Sequence, residues 1–194
     1  MGGGFKRRAL TLVAVACIAA SCSSDPSTDG STGNGPATGS DVAAPELVGT
    51  WERETRCDEL VTALNEAGLD DWVLEFVAGT GFVPGVRRPD QIGDPGDPCD
   101  GAVPRIHSHF FTEDGTFGSL NWKGDQVDDG TYVVTDDGTF VVSKEFPDVT
   151  FNYTIEDDTI SFDPVIPDCS PECFEAAWSV SVAYPGETWT RATS

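Results

Sequence analysis

Basic residues are scarce in this chain. Its 194 residues hold 11 Lys and Arg against 33 Asp and Glu, a formal charge of −22. Lys6, Arg7 and Arg8 stand at the very start; without them eight cations face 33 anions, and the remainder stands at −25. Nucleic acid and anionic lipid headgroups need positive charge in a partner, so this balance excludes both. Histidine is scarcer still, with only His107 and His109. No G-x-S-x-G elbow occurs, and no Gly-rich phosphate loop follows a strand pattern, which removes the commonest nucleophile and nucleotide motifs. No C-x₂-C pair is present, which argues against a four-cysteine zinc site. No catalytic or cofactor-binding residue stands out, and these absences point away from an enzyme.

The acidic surplus reads first as a solubilising, self-repelling surface. A sharper reading is cation binding by carboxylates. The densest candidate is Asp90 to Asp100, DQIGDPGDPCD, four aspartates on a Gly/Pro loop. It lacks the D-x-D-x-D-G register and terminal glutamate of an EF-hand. The pairs Asp128-Asp129, Asp136-Asp137 and Asp157-Asp158 read as solvated turn formers, since a glycosidase needs two carboxylates facing across a cleft.

The first forty residues read as an address. Lys6, Arg7 and Arg8 precede an apolar run from Ala9 to Ala20 broken by Thr11, the pattern of a secretory signal and too short to span a bilayer permanently. The run ends in Ala19-Ala20-Ser21-Cys22. Small residues directly before a cysteine resemble the lipobox of bacterial lipoproteins, with Ala19 where that family usually has leucine. The resemblance implies that residues 1–21 are removed and that Cys22 becomes an acylated N-terminus with a diacyl group on its sulfur, palmitate among such chains. Several acyl chains give a stable bilayer anchor where one does not. Cys17, after Ala16, is a rival inside the apolar run, and a plain cleaved signal with an incidental Cys22 is the plainer alternative. Ser23 to Ser40, SSDPSTDGSTGNGPATGS, has no large apolar residue and reads as a flexible spacer. The expected organisation is a signal over 1–21, a lipidated start and linker over 22–43, and a folded domain over 44–194. The expected location is the extracytoplasmic face of the cell membrane, held by lipid.

About 150 residues in the last segment suffice for one domain with a real core. With Cys17 lost and Cys22 acylated, Cys57, Cys99, Cys169 and Cys173 remain, an even number in an oxidising compartment. Two disulfides follow, with three possible connectivities. The favoured one joins Cys57 to Cys99, tying an insertion to its own exit loop, and Cys169 to Cys173 as a local clip. C-S-P-E-C cannot close inside a regular helix, so this clip belongs in a turn.

Leu47 to Arg53 reads as a first strand. Leu60, Leu64 and Ala67 then recur at helical spacing over Cys57 to Leu69, with Gly68 as a stop. Asp70 would cap a second short helix, Asp71 to Ala78, with Trp72 and Phe76 on one face and Gly79 ending it. Gly79 to Pro104 is rich in Gly and Pro and predicts a long irregular loop. Strands follow over Arg105–Thr112, Thr116–Trp122, Gly130–Thr135, Thr139–Ser143, Val149–Glu156 and Thr159–Asp163, with turns at Glu113-Asp114-Gly115, Asp136-Asp137-Gly138 and Asp157-Asp158. Pro171 to Val182 fits a helix through Phe174, Ala177 and Trp178, though its end also alternates as a strand; the helix is favoured. Glu187 to Ala192 is a last strand.

Eight short strands with hairpin spacing argue for a mainly β fold, an antiparallel barrel, with a helical insertion after the first strand and a helix before the last. Gly49-Thr50-Trp51 on the first strand and Trp189-Thr190-Arg191 on the last resemble the closure signature of lipocalin-like (calycin) barrels. The resemblance implies that Trp51 packs under Arg191, where a guanidinium over an indole gains cation–π attraction and hydrogen-bonds the chain ends.

His107 and His109 lie two apart on a strand and share a face. Neutral imidazole suits Zn, Cu, Fe or Ni, and Gly101, His107, His109 and Glu113 resemble the first half of the cupin metal motif. No third histidine exists, so a metal would need a distant carboxylate. Keeping Ile106, Ser108 and Phe110 inside tips the histidines outward. Ser108 points to the opposite face from both, so neither serves as its base. Three functions stay open. A barrel interior lined by Phe140, Phe151, Tyr153 and Phe162 would bind a small apolar ligand, unless those rings fill it. An envelope lipoprotein would use its acidic surface to meet a partner. His107 and His109 would hold a metal or contact a ligand.

Overall fold

The computed structural model describes residues 44–136, 138–169 and 172–193. The signal segment, Cys22 and the spacer lie outside the described residues, as do Asp137, Ser170, Pro171 and the final Ser194. Eight strands form one closed antiparallel barrel in which sequence neighbours are spatial neighbours. They are β1 (Gly49–Thr55), β2 (Arg105–Phe111), β3 (Thr116–Leu120), β4 (Gln126–Asp136), β5 (Thr139–Ser143), β6 (Val149–Glu156), β7 (Thr159–Pro164) and β8 (Thr188–Arg191). Between β1 and β2 come α1 (Cys57–Glu66) and α2 (Val73–Thr80), and α3 (Phe174–Ala183) precedes β8. This is the expected mainly β class, and the architecture is compatible with a lipocalin-like barrel.

Period-two alternation sorts the strands. Phe151 and Tyr153 of β6 are buried, with Asn152 and Thr154 exposed between them; Ile160 and Phe162 of β7 answer from the partner strand. In an up-and-down barrel successive turns alternate between ends. The tight turns at Gly115 (φ 83°) and Gly138 (φ 78°), and the one at Asp157 (φ 54°), join β2–β3, β4–β5 and β6–β7 at one end. The insertion, the β3–β4 turn, the β5–β6 link and α3 all fall at the other. We call that end the mouth.

β1 and β8 close the barrel through the pairs Trp51↔Arg191 and Glu52↔Thr190. The Arg191 guanidinium lies 4.0 Å from the Trp51 ring centre. It donates to the carbonyls of Val48 and Glu46, at 2.7 Å each. Gly49, at φ 135°, supplies the room: a Cβ there would stand 2.6 Å from Arg191 Nη1.

The insertion is tied as the cysteine spacing suggested. Cys57, the first residue of α1, is bonded to Cys99, and Cys169 to Cys173. Several boundaries differ from expectation, those of the first two helices most plainly. α1 ends at Glu66, and Asp70–Trp72 is a 3₁₀ turn leading into α2. α2 runs through Gly79 and stops at Gly81, whose φ of 75° is the left-handed cap. The loop before β2 therefore starts two residues later and contains a 3₁₀ turn at Pro89–Gln91. β4 begins at Gln126 instead of Gly130, so Asp128 and Asp129 lie within a strand, not in a turn.

Candidate functional site

The deep interior of the barrel holds side chains instead of space. Phe140 stacks on Phe151 at 5.2 Å and meets Phe111 at 5.4 Å, Tyr153 at 5.7 Å and Phe162 at 6.1 Å. The gap left among these rings is about 10 Å³, no more than a single water needs. Each large ring so buried contributes on the order of 1.5–3 kcal/mol. Phe140, Phe151, Tyr153 and Phe162 are thus core: of the two readings open for them, the rings fill the interior themselves.

α3 closes the top of this core. Ala176 to Ala183 are all buried, and Val182 and Ala183 line the residual gap beneath. His109 joins helix and barrel. Its Nδ1 is 2.8 Å from Ser119 Oγ and its Nε2 2.8 Å from the Val182 carbonyl. A carbonyl only accepts, so Nε2 carries the proton and Nδ1 accepts from the serine hydroxyl. Burial, and then the neighbouring His107, hold His109 well below the usual histidine range, so it is neutral.

Both histidines point inward, against the outward expectation. Their rings are 4.8 Å apart, and Trp189 lies 4.5 Å from His109. The outward reading assumed that Ile106, Ser108 and Phe110 needed the core. Ile106 is exposed, Ser108 is buried on the other face, and Phe110 lies over the bare Cα of its cross-strand partner Gly118. Glycine there lets the outer face of the sheet cover an aromatic ring, which periodicity alone does not register. His107 differs from His109 in that its Nε2 is buried without a hydrogen-bond partner among the described residues. Burial pulls His107 down to about 4, so it too is neutral near pH 7. Its cross-strand partner Arg53 bonds Glu59 and Glu187 through Nη2 and leaves Nη1 unpartnered.

The mouth is where space opens. A cleft of about 570 Å³ is walled by Phe76 of α2, Phe174 and Trp178 of α3, and Phe146 of the β5–β6 link, with His107 and Val182 also lining it. Phe76 stacks on Phe174 at 5.6 Å, and Phe146 meets Trp178 at 5.1 Å. Glu75, Asp128, Asp129 and Glu145 complete the lining with Lys144. Lys144 is ion-paired to Asp128 and sits 4.9 Å from the Trp178 ring centre. Trp178 Nε1 donates to the other Asp128 oxygen at 2.7 Å. This explains a carboxylate on the inner face of β4: Asp128 is neutralised by an ammonium and an indole N–H. Burial lowers Lys144 to about 8, and the neighbouring Glu145 carboxylate acts in the opposite sense.

A second cleft, about 360 Å³, adjoins the first at Gly79, Thr80, His107 and Val127. Arg87, Arg105, Lys123 and Trp122 line it. Trp122 belongs to the β3–β4 turn, not to β3. The Asn121 side chain accepts from the backbone N–H of Lys123 and Asp125 at 2.8 and 3.1 Å, and that turn swings the indole onto Gly81.

Metal binding gains nothing from this arrangement. Both ring nitrogens of His109 are engaged, and among the described residues no group of three ligand side chains includes either histidine. The one such group, Cys169, Cys173 and Glu175, has its two sulfurs bonded to each other. No three carboxylates of Asp90 to Asp100 converge either.

Sequence reasoning found His107 and saw Trp72 and Phe76 as one stripe; those rings are 6.4 Å apart. It missed Lys144, Asp128, Phe146, Phe174, Arg105 and Trp122 as site residues. The available signal for Asp128 was a carboxylate two residues before Gly130 in a strand-like run. No family model, curated protein or solved structure matches this chain.

Proposed function

We propose that this is a lipid-anchored, extracytoplasmic binding protein that holds a small, mostly apolar molecule at the mouth of its barrel. The observation that supports this most is the aromatic cleft of about 570 Å³, above a core with no room of its own. The volume lies in the range that encloses a drug-sized ligand, and a few polar groups in an aromatic wall suit such a site. Phe76, Phe146, Phe174 and Trp178 would supply the contact area. The unpartnered Nε2 of His107 would bond one polar atom of the cargo. The cleft's single lysine is already paired to Asp128, and three other carboxylates line it, so the cargo is neutral or cationic.

Native mass spectrometry of the purified protein is the direct test, with an extra mass expected on the folded chain. The neutral fluorophore 1-aminoanthracene serves as a probe of the cleft. Its binding should saturate, and Trp178→Ala should weaken it about tenfold, the worth of one buried aromatic contact. A folded protein with neither retained mass nor saturable probe binding refutes the reading and leaves an envelope protein that works through its surface. The anchor has its own test: Cys22→Ser protein should leave the membrane fraction, and continued partitioning with membranes would refute acylation at that residue.

A further inference from the structure

The second cleft has a different chemistry, and its argument stands whether or not the aromatic cleft takes a ligand. Outside the first eight positions the chain has eight basic residues among 33 acidic ones. Four of them, Arg53, Arg56, Arg88 and Lys144, are each ion-paired to a carboxylate. Arg191 is committed to the two carbonyls at the barrel seam. The remaining three, Arg87, Arg105 and Lys123, form no ion pair among the described residues, and all three line this one cleft. Among the described residues no Asp or Glu lines it. In a chain this acidic, unneutralised cations gathered from three separate segments are the opposite of a solubilising surface.

The cleft is also built. Arg105 Nε donates to the Gly81 carbonyl at 3.1 Å, and its guanidinium lies 4.3 Å from the Trp122 ring centre. These contacts hold the head in place and leave its terminal nitrogens for a ligand. Gly81 is required twice, for its left-handed φ of 75° and because a Cβ would run into the Trp122 ring. Lys123 Nζ stands 5.5 Å from the centre of the same ring. Arg87 is held at its own segment by donation from Nη1 to the Val86 carbonyl at 3.0 Å. His107, whose buried Nε2 has no hydrogen-bond partner among the described residues, Asn121, Thr55, Thr80 and Tyr184 complete the polar lining.

We infer that this cleft binds a small oxyanion, a carboxylate or a phosphate group, carried on a molecule larger than the bare ion. Arg105 provides paired N–H donors in fixed geometry, the arrangement that suits a planar carboxylate or phosphate edge. Lys123 and Arg87 add charge from the rim. The flat Trp122 indole would receive the rest of the ligand, and a volume of about 360 Å³ exceeds what an inorganic ion fills. The surrounding negative field repels free anions at a distance, so binding here depends on these local donors.

Calorimetric titration of the purified protein with inorganic phosphate and, separately, with benzoate tests the assignment and tells the two sources apart. Saturable one-to-one binding of at least one anion is expected, weakened by added sodium chloride. Arg105→Gln should lower its affinity by about tenfold or more, one charge-assisted hydrogen bond. Exposed Lys123→Gln should lower it several-fold with the fold untouched. Arg56→Gln, whose partner is Asp58 outside the cleft, should change nothing. Absence of saturable binding by both anions overturns the inference. So does binding that Lys123→Gln and Arg105→Gln leave intact in folded proteins, or binding that Arg56→Gln weakens equally.

Discussion

Replacing Arg191 by methionine tests whether the barrel seam is held as the geometry indicates. Methionine keeps an apolar chain over the Trp51 indole but removes the charge and both donors. The Val48 carbonyl, bonded at 2.7 Å in a half-buried setting, loses a charge-assisted bond worth about 1.5–3 kcal/mol. The Glu46 carbonyl, also at 2.7 Å, is exposed, so water recovers most of its bond. Loss of the cation over the indole at 4.0 Å adds on the order of 0.5–2 kcal/mol. The sum is a destabilisation of about 2–5 kcal/mol, read as a lower midpoint with unchanged slope in urea unfolding followed by tryptophan fluorescence. Gly49→Ala strengthens the test. Its Cβ would meet Arg191 Nη1 at 2.6 Å and sit at φ 135°, combining a steric term with backbone strain of about 1–3 kcal/mol. In the Arg191→Met background the steric term vanishes and only strain remains, so the two changes together should cost less than their sum. A loss below about 0.5 kcal/mol for Arg191→Met, or strict additivity with Gly49→Ala, would refute this account of the seam.

The two disulfides should differ in worth. Cys57–Cys99 spans 42 residues and Cys169–Cys173 four. Loop entropy then predicts losses of about 4 and about 2 kcal/mol on replacing each pair by alanine, measured by the same denaturation; equal losses would contradict it. Acid should expose the buried histidine. His107 titrates near 4 when folded and near 6.5 when unfolded, so the unfolded chain takes the proton first. The stability this contributes is complete above pH 6.5 and drains as pH falls towards 4, by up to about 1.4 kcal/mol per unit. His107→Gln should flatten the pH dependence of unfolding in that window by this amount, and parallel curves for the two proteins would exclude a buried neutral His107.

Much of the fold could be read locally. The turns at Asp114-Gly115, Gly138 and Asp157-Asp158 need residues that tolerate positive φ, and they mark the closed end of the barrel. The stripe Phe151, Tyr153, Ile155 against Ile160, Phe162 has a period that only a half-buried strand satisfies, and the strand count follows. Trp51 and Arg191 could be paired because a Gly-x-Trp at one end and a Trp-x-Arg at the other are short motifs with a physical partner. The cysteine pairing rested on count, compartment and chain geometry.

What chain order could not disclose lies at the mouth. Which way His107 and His109 face depended on Gly118, a residue of the next strand whose missing side chain lets Phe110 stay outside. Whether Phe140, Phe151, Tyr153 and Phe162 enclose a ligand or one another is a matter of volume, and volume is summed over all eight strands and α3. Asp128 looked like a turn former because its neutralising partners, Lys144 and the Trp178 indole, come from distant segments. Arg87, Arg105 and Lys123 looked like scattered surface cations for the same reason. Local pattern sets elements and registers, because those energies act between near neighbours along the chain or across one strand pair. Clefts and charge clusters arise where separate connections meet at one end of the barrel, and only closure of the sheet brings them together.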